Sequence, residues 1–120
     1  MKKLYISVPM KGRTDEQIRE SINKMWKMTE IMLGEECQVL PTYNKENREV
    51  PRFVALGRST AWLGDADYVV YCYPFYGFAG VESEVDIANN YDIPTIAYEG
   101  RFICPDIFTT LKLQEEGEAE

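Results

Sequence analysis

Apolar and polar positions change period several times along the chain, and each change marks an element. Lys3-Leu4-Tyr5-Ile6-Ser7-Val8 is a short apolar run that predicts a central first strand. Pro9-Met10-Lys11-Gly12-Arg13 then reads as a loop. Thr14-Asp15-Glu16-Gln17 fits a capping box, with Thr14 as N-cap and Gln17 three residues on. Behind it Ile18, Ile22, Met25, Thr29, Met32 and Leu33 fall at helical spacing, and Gly34 suits the C-cap. This Met-rich stripe predicts core packing. Cys37-Gln38-Val39-Leu40 is a short second strand stopped by Pro41. Residues 42–49 are polar, without periodicity, and predict a loop. Pro51 opens a second helix through Phe53, Val54, Leu56, Ala61, Trp62 and Leu63, weakened at Gly57 by about 1 kcal/mol relative to Ala.

Asp67 introduces a third strand, Tyr68 to Cys72, and a turn-rich segment comes next, Pro74-Phe75-Tyr76-Gly77-Phe78-Ala79. Gly80 to Ala88 reads as a helix ending near Tyr91-Asp92, and Ile93 to Tyr98 as a fourth strand. Pro105 to Leu113 predicts a short last helix. Strands and helices therefore alternate. The expectation is an α/β fold, a parallel sheet of four or five strands with helices on both faces and right-handed crossovers. Residues 1–113 form one domain in this scheme, and 114–120 an acidic, disordered tail. In such sheets ligands bind beyond the carboxyl ends of the strands, where the order of strands reverses. The loops after the first and third strands converge there.

Composition narrows the chemistry. With 120 residues, 45% hydrophobic and 28% charged, the chain is one soluble domain with a sizeable core. No apolar run is long enough for a membrane span. Met1-Lys2-Lys3 imitates the start of a secretion signal, but Lys11 and Arg13 cut short the apolar run from Leu4 to Met10, so a strand is expected instead. Three cysteines, Cys37, Cys72 and Cys104, lack CxxC spacing and predict free thiols in a reducing cytoplasm. Histidine is absent, which excludes Ser-His-Asp and Cys-His catalysis and His-based metal sites. Carboxylates, with Tyr, Ser or Lys, are left to carry any chemistry. The net charge is −7, with four of the negatives in the tail, and the acidic balance argues against a nucleic-acid duplex as partner.

One carboxylate is out of place. Val81, Val85 and Ala88 form the apolar stripe of the third helix, and Glu84 falls on it, while Glu82, Asp86, Asn89 and Asn90 point to water. A carboxylate on a packed face needs a partner or a chemical task. Placed in the first turn or so, its charged form is favoured by the helix dipole. Glu84 is either a reactive carboxylate at the mouth of the sheet or a helix-terminal Glu satisfied by backbone N–H groups. The Ser7–Arg13 loop, leading into a capped helix, either takes a phosphate or is an ordinary connection with two solvated basic residues. Phe75, Tyr76 and Phe78 either stack on a nucleobase or pack a dimer interface. Asp65 and Asp67 fit turn and capping roles, and Trp26 and Trp62 fit the core or an interface.

The segments Tyr5-Ile6-Ser7-Val8-Pro9-Met10-Lys11-Gly12, Trp62 to Val70, Gly80-x3-Glu84-x3-Ala88 and Asp92-Ile93-Pro94, in this order and spacing, resemble the nucleoside 2-deoxyribosyltransferase superfamily. Within it the chain is most similar to a branch of small members (DUF4406). The resemblance spans roughly residues 3–98. It implies a three-layer, flavodoxin-like or Rossmann-like sheet and a homodimer or higher homo-oligomer with the site near a subunit interface. It also implies cleavage of the N-glycosidic bond of a deoxynucleoside or its 5′-monophosphate, without metal or organic cofactor. Glu84 matches the family nucleophile, which attacks C1′ and forms a covalent glycosyl-enzyme. Tyr5 matches the tyrosine that orients it. Substrate contacts are implied at Ser7, Pro9, Met10, Lys11, Gly12 and Arg13, and at Ser59, Phe75, Phe78 and Gly80. Ser59 stands where many active members carry an Asp that holds substrate or protonates the leaving base. Phe78 stands where members carry Asp or Ser. These departures favour an alternative, a non-catalytic module of the same fold that captures a nucleotide or nucleotide-derived signal. A purely structural oligomer is a third possibility.

Overall fold

A computed structural model describes residues 1–41, 57, 60–74 and 79–107. The body of the predicted 42–49 loop, nearly all of the predicted second helix up to residue 59, the Phe75–Phe78 segment and the acidic tail lie outside the described residues.

The sheet is parallel and four-stranded, in the order β2-β1-β3-β4, with β1 at Lys2–Ser7, β2 at Cys37–Val39, β3 at Tyr68–Tyr73 and β4 at Thr95–Glu99. The chain steps outward from β1 to β2 and then returns across β1 to β3. The reversal of strand order therefore falls between β1 and β3.

Strand alternation divides the core in two. Leu4, Ile6 and Val8 of the first strand region, with Val70 and Cys72 of β3, pack with Ile18 and Met25 of α1 (Asp15–Leu33). Tyr5 and Val69, one residue out of phase, pack on the other face with Leu40, Leu63 and Ala88. Ala88 belongs to α2 (Ala79–Asn90). Helices thus cover both faces, the three-layer α/β arrangement expected from the alternation of elements.

The caps agree with the sequence pattern. Thr14 Oγ1 accepts from Gln17 N–H at 3.2 Å, and Gln17 Oε1 accepts from Thr14 N–H at 2.8 Å. Gly34 ends α1 at φ 70°, a left-handed turn that glycine takes at no steric cost. Asp67 ties the amino end of β3 to β1: Lys3 N–H donates to Asp67 Oδ2 at 2.7 Å, and Asp67 N–H donates to Lys3 O at 2.8 Å. This is the turn role expected of it. Trp26 is half-buried, and its Nε1–H donates to Cys37 O at 2.9 Å. Cys37, Cys72 and Cys104 are buried free thiols.

Two expectations need correction. Met32 is not in the core: it is 55% exposed, with Ile31 at 82% beside it. Thr29 is buried and Leu33, four residues on, packs against the core, so the last turn of α1 stays on the sheet. Ile31 and Met32 fall between these positions and point away from it. The polypeptide also turns helical sooner than predicted after β4, in α3 (Gly100–Ile103), before the Pro105 helix begins. Ile103 is buried in the α1-side core, and its carbonyl accepts from Ser21 Oγ at 2.8 Å. Among the described residues, no helix is long and apolar enough to cross a membrane.

Candidate active site

β1 and β3 run side by side, with Tyr5 opposite Val69 and Ser7 opposite Tyr71. Tyr5 and Ser7 are two residues apart, so both project from the α2 face of the sheet. α2 lies over them on Val81, Val85 and Ala88, all buried, while Glu82, Asp86, Asn89 and Asn90 are exposed, as the stripe predicts. Glu84, at the margin of that stripe, is half-buried and directed at β1. Tyr5 Oη donates to its Oε1 at 2.7 Å, and Ser7 Oγ donates to its Oε2. Each carboxylate oxygen is held by a side-chain hydroxyl of a central strand. Backbone N–H groups do not appear among its partners in the described residues, so the helix-terminal alternative is not the arrangement found.

Burial raises the Glu84 carboxyl above the ordinary carboxylate range, and the hydrogen bonds from Ser7 and then Tyr5 oppose that rise. This corrects the expectation that Glu84 sits in the first turn or so, where the helix dipole favours its charged form. Glu84 is in the second turn of α2, and Glu82 occupies the first. The dipole's influence fades within one turn, so desolvation wins.

The loop after β1 departs further from expectation. Arg13 does not stand in solvent as a phosphate ligand; it is 4% exposed. Its Nε donates to Asp106 Oδ2 at 2.9 Å and its Nη1 to Pro9 O at 3.1 Å. Its Nη2 donates to Ser21 Oγ at 2.6 Å, Gln17 O at 3.1 Å and Asp106 Oδ1 at 3.2 Å. The guanidinium is thus used up inside the protein, bracing the loop against α1 and the chain after α3. Ser7, also expected to meet substrate, is 2% exposed and bonded to Glu84. The N-terminus of α1 is closed by its own capping box and carries Asp15 and Glu16, a poor seat for an anion.

The rest of the loop is a turn closed by Arg13 N–H on Met10 O at 3.1 Å. Pro9 is buried, Met10 packs on the α1-side core, and Lys11 and Gly12 are exposed, Gly12 at φ 76°. Gly80 is exposed in the first turn of α2, and a Cβ added there meets nothing within 4 Å. Ser59, Phe75 and Phe78 lie outside the described residues.

Sequence reasoning passed over two residues. Tyr71 and Tyr73 alternate with Val69 and therefore share the α2 face with Tyr5 and Ser7, at the carboxyl end of β3. Tyr71 is half-buried beside Ser7 in register, and Tyr73 is half-exposed one step further out. The apolar run Tyr68–Tyr73 was uniform enough to hide that parity. Splitting it into odd and even positions separates Tyr71 and Tyr73 from Val70 and Cys72.

These features define a parallel α/β protein with a hydroxyl-held carboxylate at the point where its strand order reverses. Neither a protein-family model, nor a curated protein, nor a solved structure matches the chain.

Proposed function

We propose that the protein is an N-glycosidase or transferase of the nucleoside 2-deoxyribosyltransferase type, acting on a nucleoside or nucleoside 5′-monophosphate, with Glu84 as nucleophile. One observation carries this reading: a carboxylate on the packed face of α2, oriented by Tyr5 and Ser7 at the switch point between β1 and β3. Ligands of such sheets collect there, and a desolvated carboxylate has little hydration to shed before it attacks. A Glu84 oxygen forms a bond to C1′ as the C1′–N bond breaks, and the base departs with the electron pair and takes up a proton. The glycosyl ester is then opened by water or by a second base, which returns Glu84 as carboxylate. Tyr5 Oη, fixed on Oε1, restricts the carboxyl to one orientation, which reduces the entropy lost on reaching the attack geometry.

A second reading is also supported by a specific observation. Both Glu84 oxygens already have protein donors, as a structural carboxylate would. With Ser59 where many active relatives carry Asp, that favours a nucleotide-binding module that does not cleave its ligand. The test is a base-release assay. The protein, Glu84→Ala and Glu84→Gln are incubated with deoxynucleosides and their 5′-monophosphates, and free base is followed by chromatography. Release lost in both variants supports the enzyme. Undiminished release in the variants removes Glu84 from the mechanism, and tight binding without release favours the module.

A further inference from the structure

We propose that Ser7 is a positioning residue for Glu84 and not a contact for the substrate's phosphate or sugar: its hydroxyl completes, with Tyr5, a two-point clamp that fixes the carboxylate plane. The inference rests on Glu84 being the reactive group, and it assigns Ser7 a task that the sequence expectation gave to substrate binding.

The geometry is that of a clamp. Tyr5 and Ser7 stand about 7 Å apart along one face of β1, one engaging Oε1 and the other Oε2. A carboxylate held at one oxygen can still swing about its terminal torsion, which is broad and soft. Held at both, it cannot. Ser7 lies nearer the carboxyl edge, so its bond fixes the side of Glu84 that faces the end of the sheet where ligands collect.

The proton count separates the two roles. A serine hydroxyl has one proton to donate. While Glu84 is ionised it can only accept, so the Ser7 proton goes to Oε2. A phosphate oxygen also only accepts, and Ser7 then has no proton for it. At 2% exposed and bonded to Glu84 Oε2, Ser7 is placed under Glu84 and not in the mouth of the site.

Other titratable and charged groups also face this part of the fold. On α2 itself Glu82 and Asp86 are exposed and directed away. From β3, Tyr71 and Tyr73 share the face. From β4, Glu99 lies at the far margin and pairs with Arg101 at 2.5 Å. From β1, Lys3 is at the opposite end of the strand. Among the described residues, the influences on the Glu84 carboxyl are burial, Ser7 and Tyr5. Removing the Ser7 hydroxyl leaves Oε2 without that donor while Glu84 stays partly buried, and the neutral acid is then favoured.

The experiment titrates Glu84 directly in the full chain without ligand. Side-chain carboxyl-labelled glutamate is followed by carbon NMR, with Glu84→Gln assigning the signal. In Ser7→Ala the Glu84 titration moves up by about one pH unit or more. Ser7→Thr, which retains the hydroxyl, moves it back toward the parent value, and Ser7→Cys, a weaker donor of similar size, lies between. Thermal melts identify any variant that does not fold, and Thr and Cys carry the test if Ala fails. With an active substrate, the acid limb of the kcat profile rises in step in Ser7→Ala while KM changes little. A Glu84 titration unmoved in folded Ser7→Ala overturns the proposal, as does a rise in KM confined to phosphorylated substrates with the acid limb in place. If the parent protein releases no base at all, the nucleophile reading fails, and the NMR titration still decides whether Ser7 clamps Glu84.

Discussion

Replacing Arg13 by methionine separates bracing from ligand binding in the loop after β1. Methionine keeps much of the apolar stem and removes the fork of donors. The side chain of Arg13 is 1% exposed and that of its partner Asp106 is 28% exposed. Removing one member of a buried ion pair costs about 3–5 kcal/mol, because the other charge is left without its partner. Asp106 regains some water, so the lower end applies, about 3 kcal/mol. Pro9 O, Gln17 O and Ser21 Oγ also lose a donor, although Ser21 keeps its bond to Ile103 O. For a domain of this size about 4 °C is lost per kcal/mol, so the melting temperature falls by about 12 °C. Urea denaturation and a thermal melt measure the loss. Arg13→Lys recovers little, since a single ammonium cannot reach the carboxylate and both carbonyls in the guanidinium's planar geometry. A double-mutant cycle with Asp106→Asn isolates the ion pair within this total. An Arg13→Met protein as stable as the parent, with KM raised for nucleoside monophosphates, would refute the bracing role and restore Arg13 as a phosphate ligand.

The same contacts lead to three further outcomes. Because burial raises the Glu84 carboxyl, the folded protein holds that proton more tightly than the unfolded chain, so stability declines as pH rises from the ordinary Glu range through the raised value. Glu84→Gln is therefore more stable than the parent at neutral pH, and its advantage disappears below the ordinary Glu range; denaturation curves at both pH values check this, and no stability gain at neutral pH would contradict it. Gly80→Ala folds normally and is stabilised by about 0.5–1 kcal/mol, since its Cβ meets open space; a KM raised in this stable variant would mark Gly80 as a point of close ligand approach. Tyr5→Phe lifts the Glu84 titration in the same direction as Ser7→Ala, and an unmoved signal would remove Tyr5 from the clamp.

Local pattern determines the part of the structure that was legible in the chain. The capping box at Thr14 and Gln17, the left-handed stop at Gly34 and the stripe of α2 are each set by residues a few positions apart, so they appear as spacing. The Glu84 anomaly was legible for the same reason. The donors that answer it lie 77 and 79 residues away, and the resemblance pointed to Tyr5 but gave Ser7 to the substrate. Arg13 was misread because its partner, Asp106, is 93 residues distant. Seen locally, a basic residue between Gly12 and a capped helix looks solvated. Only the return of the chain after β4, through α3, brings a carboxylate over it.

Strand alternation explains why the chemistry collects where it does. β1 places Leu4 and Ile6 in the α1-side core, with Val8 just beyond the strand beside them, so its other face has only Tyr5 and Ser7 between Lys3 and the loop. β3 repeats the division, with Val70 and Cys72 on one face and Val69, Tyr71 and Tyr73 on the other. On the α1 face β1 and β3 present apolar side chains toward their carboxyl ends, and the hydroxyl that β4 adds, Tyr98, is paired with Thr29 of α1 at 2.9 Å. The α2 face becomes hydroxyl-rich toward the carboxyl edge, where burying the side chains against an apolar helix would leave their hydroxyls unpaired. Glu84 is the acceptor that α2 supplies at that depth. A glutamate on an apolar stripe and hydroxyls on central strands are each costly when buried alone. Brought together they satisfy one another, and every buried side-chain nitrogen and oxygen among the described residues has a partner. The packing requirement that admits Glu84 to the interface of α2 and the sheet is thus the one that holds its carboxylate in a single orientation at the switch point.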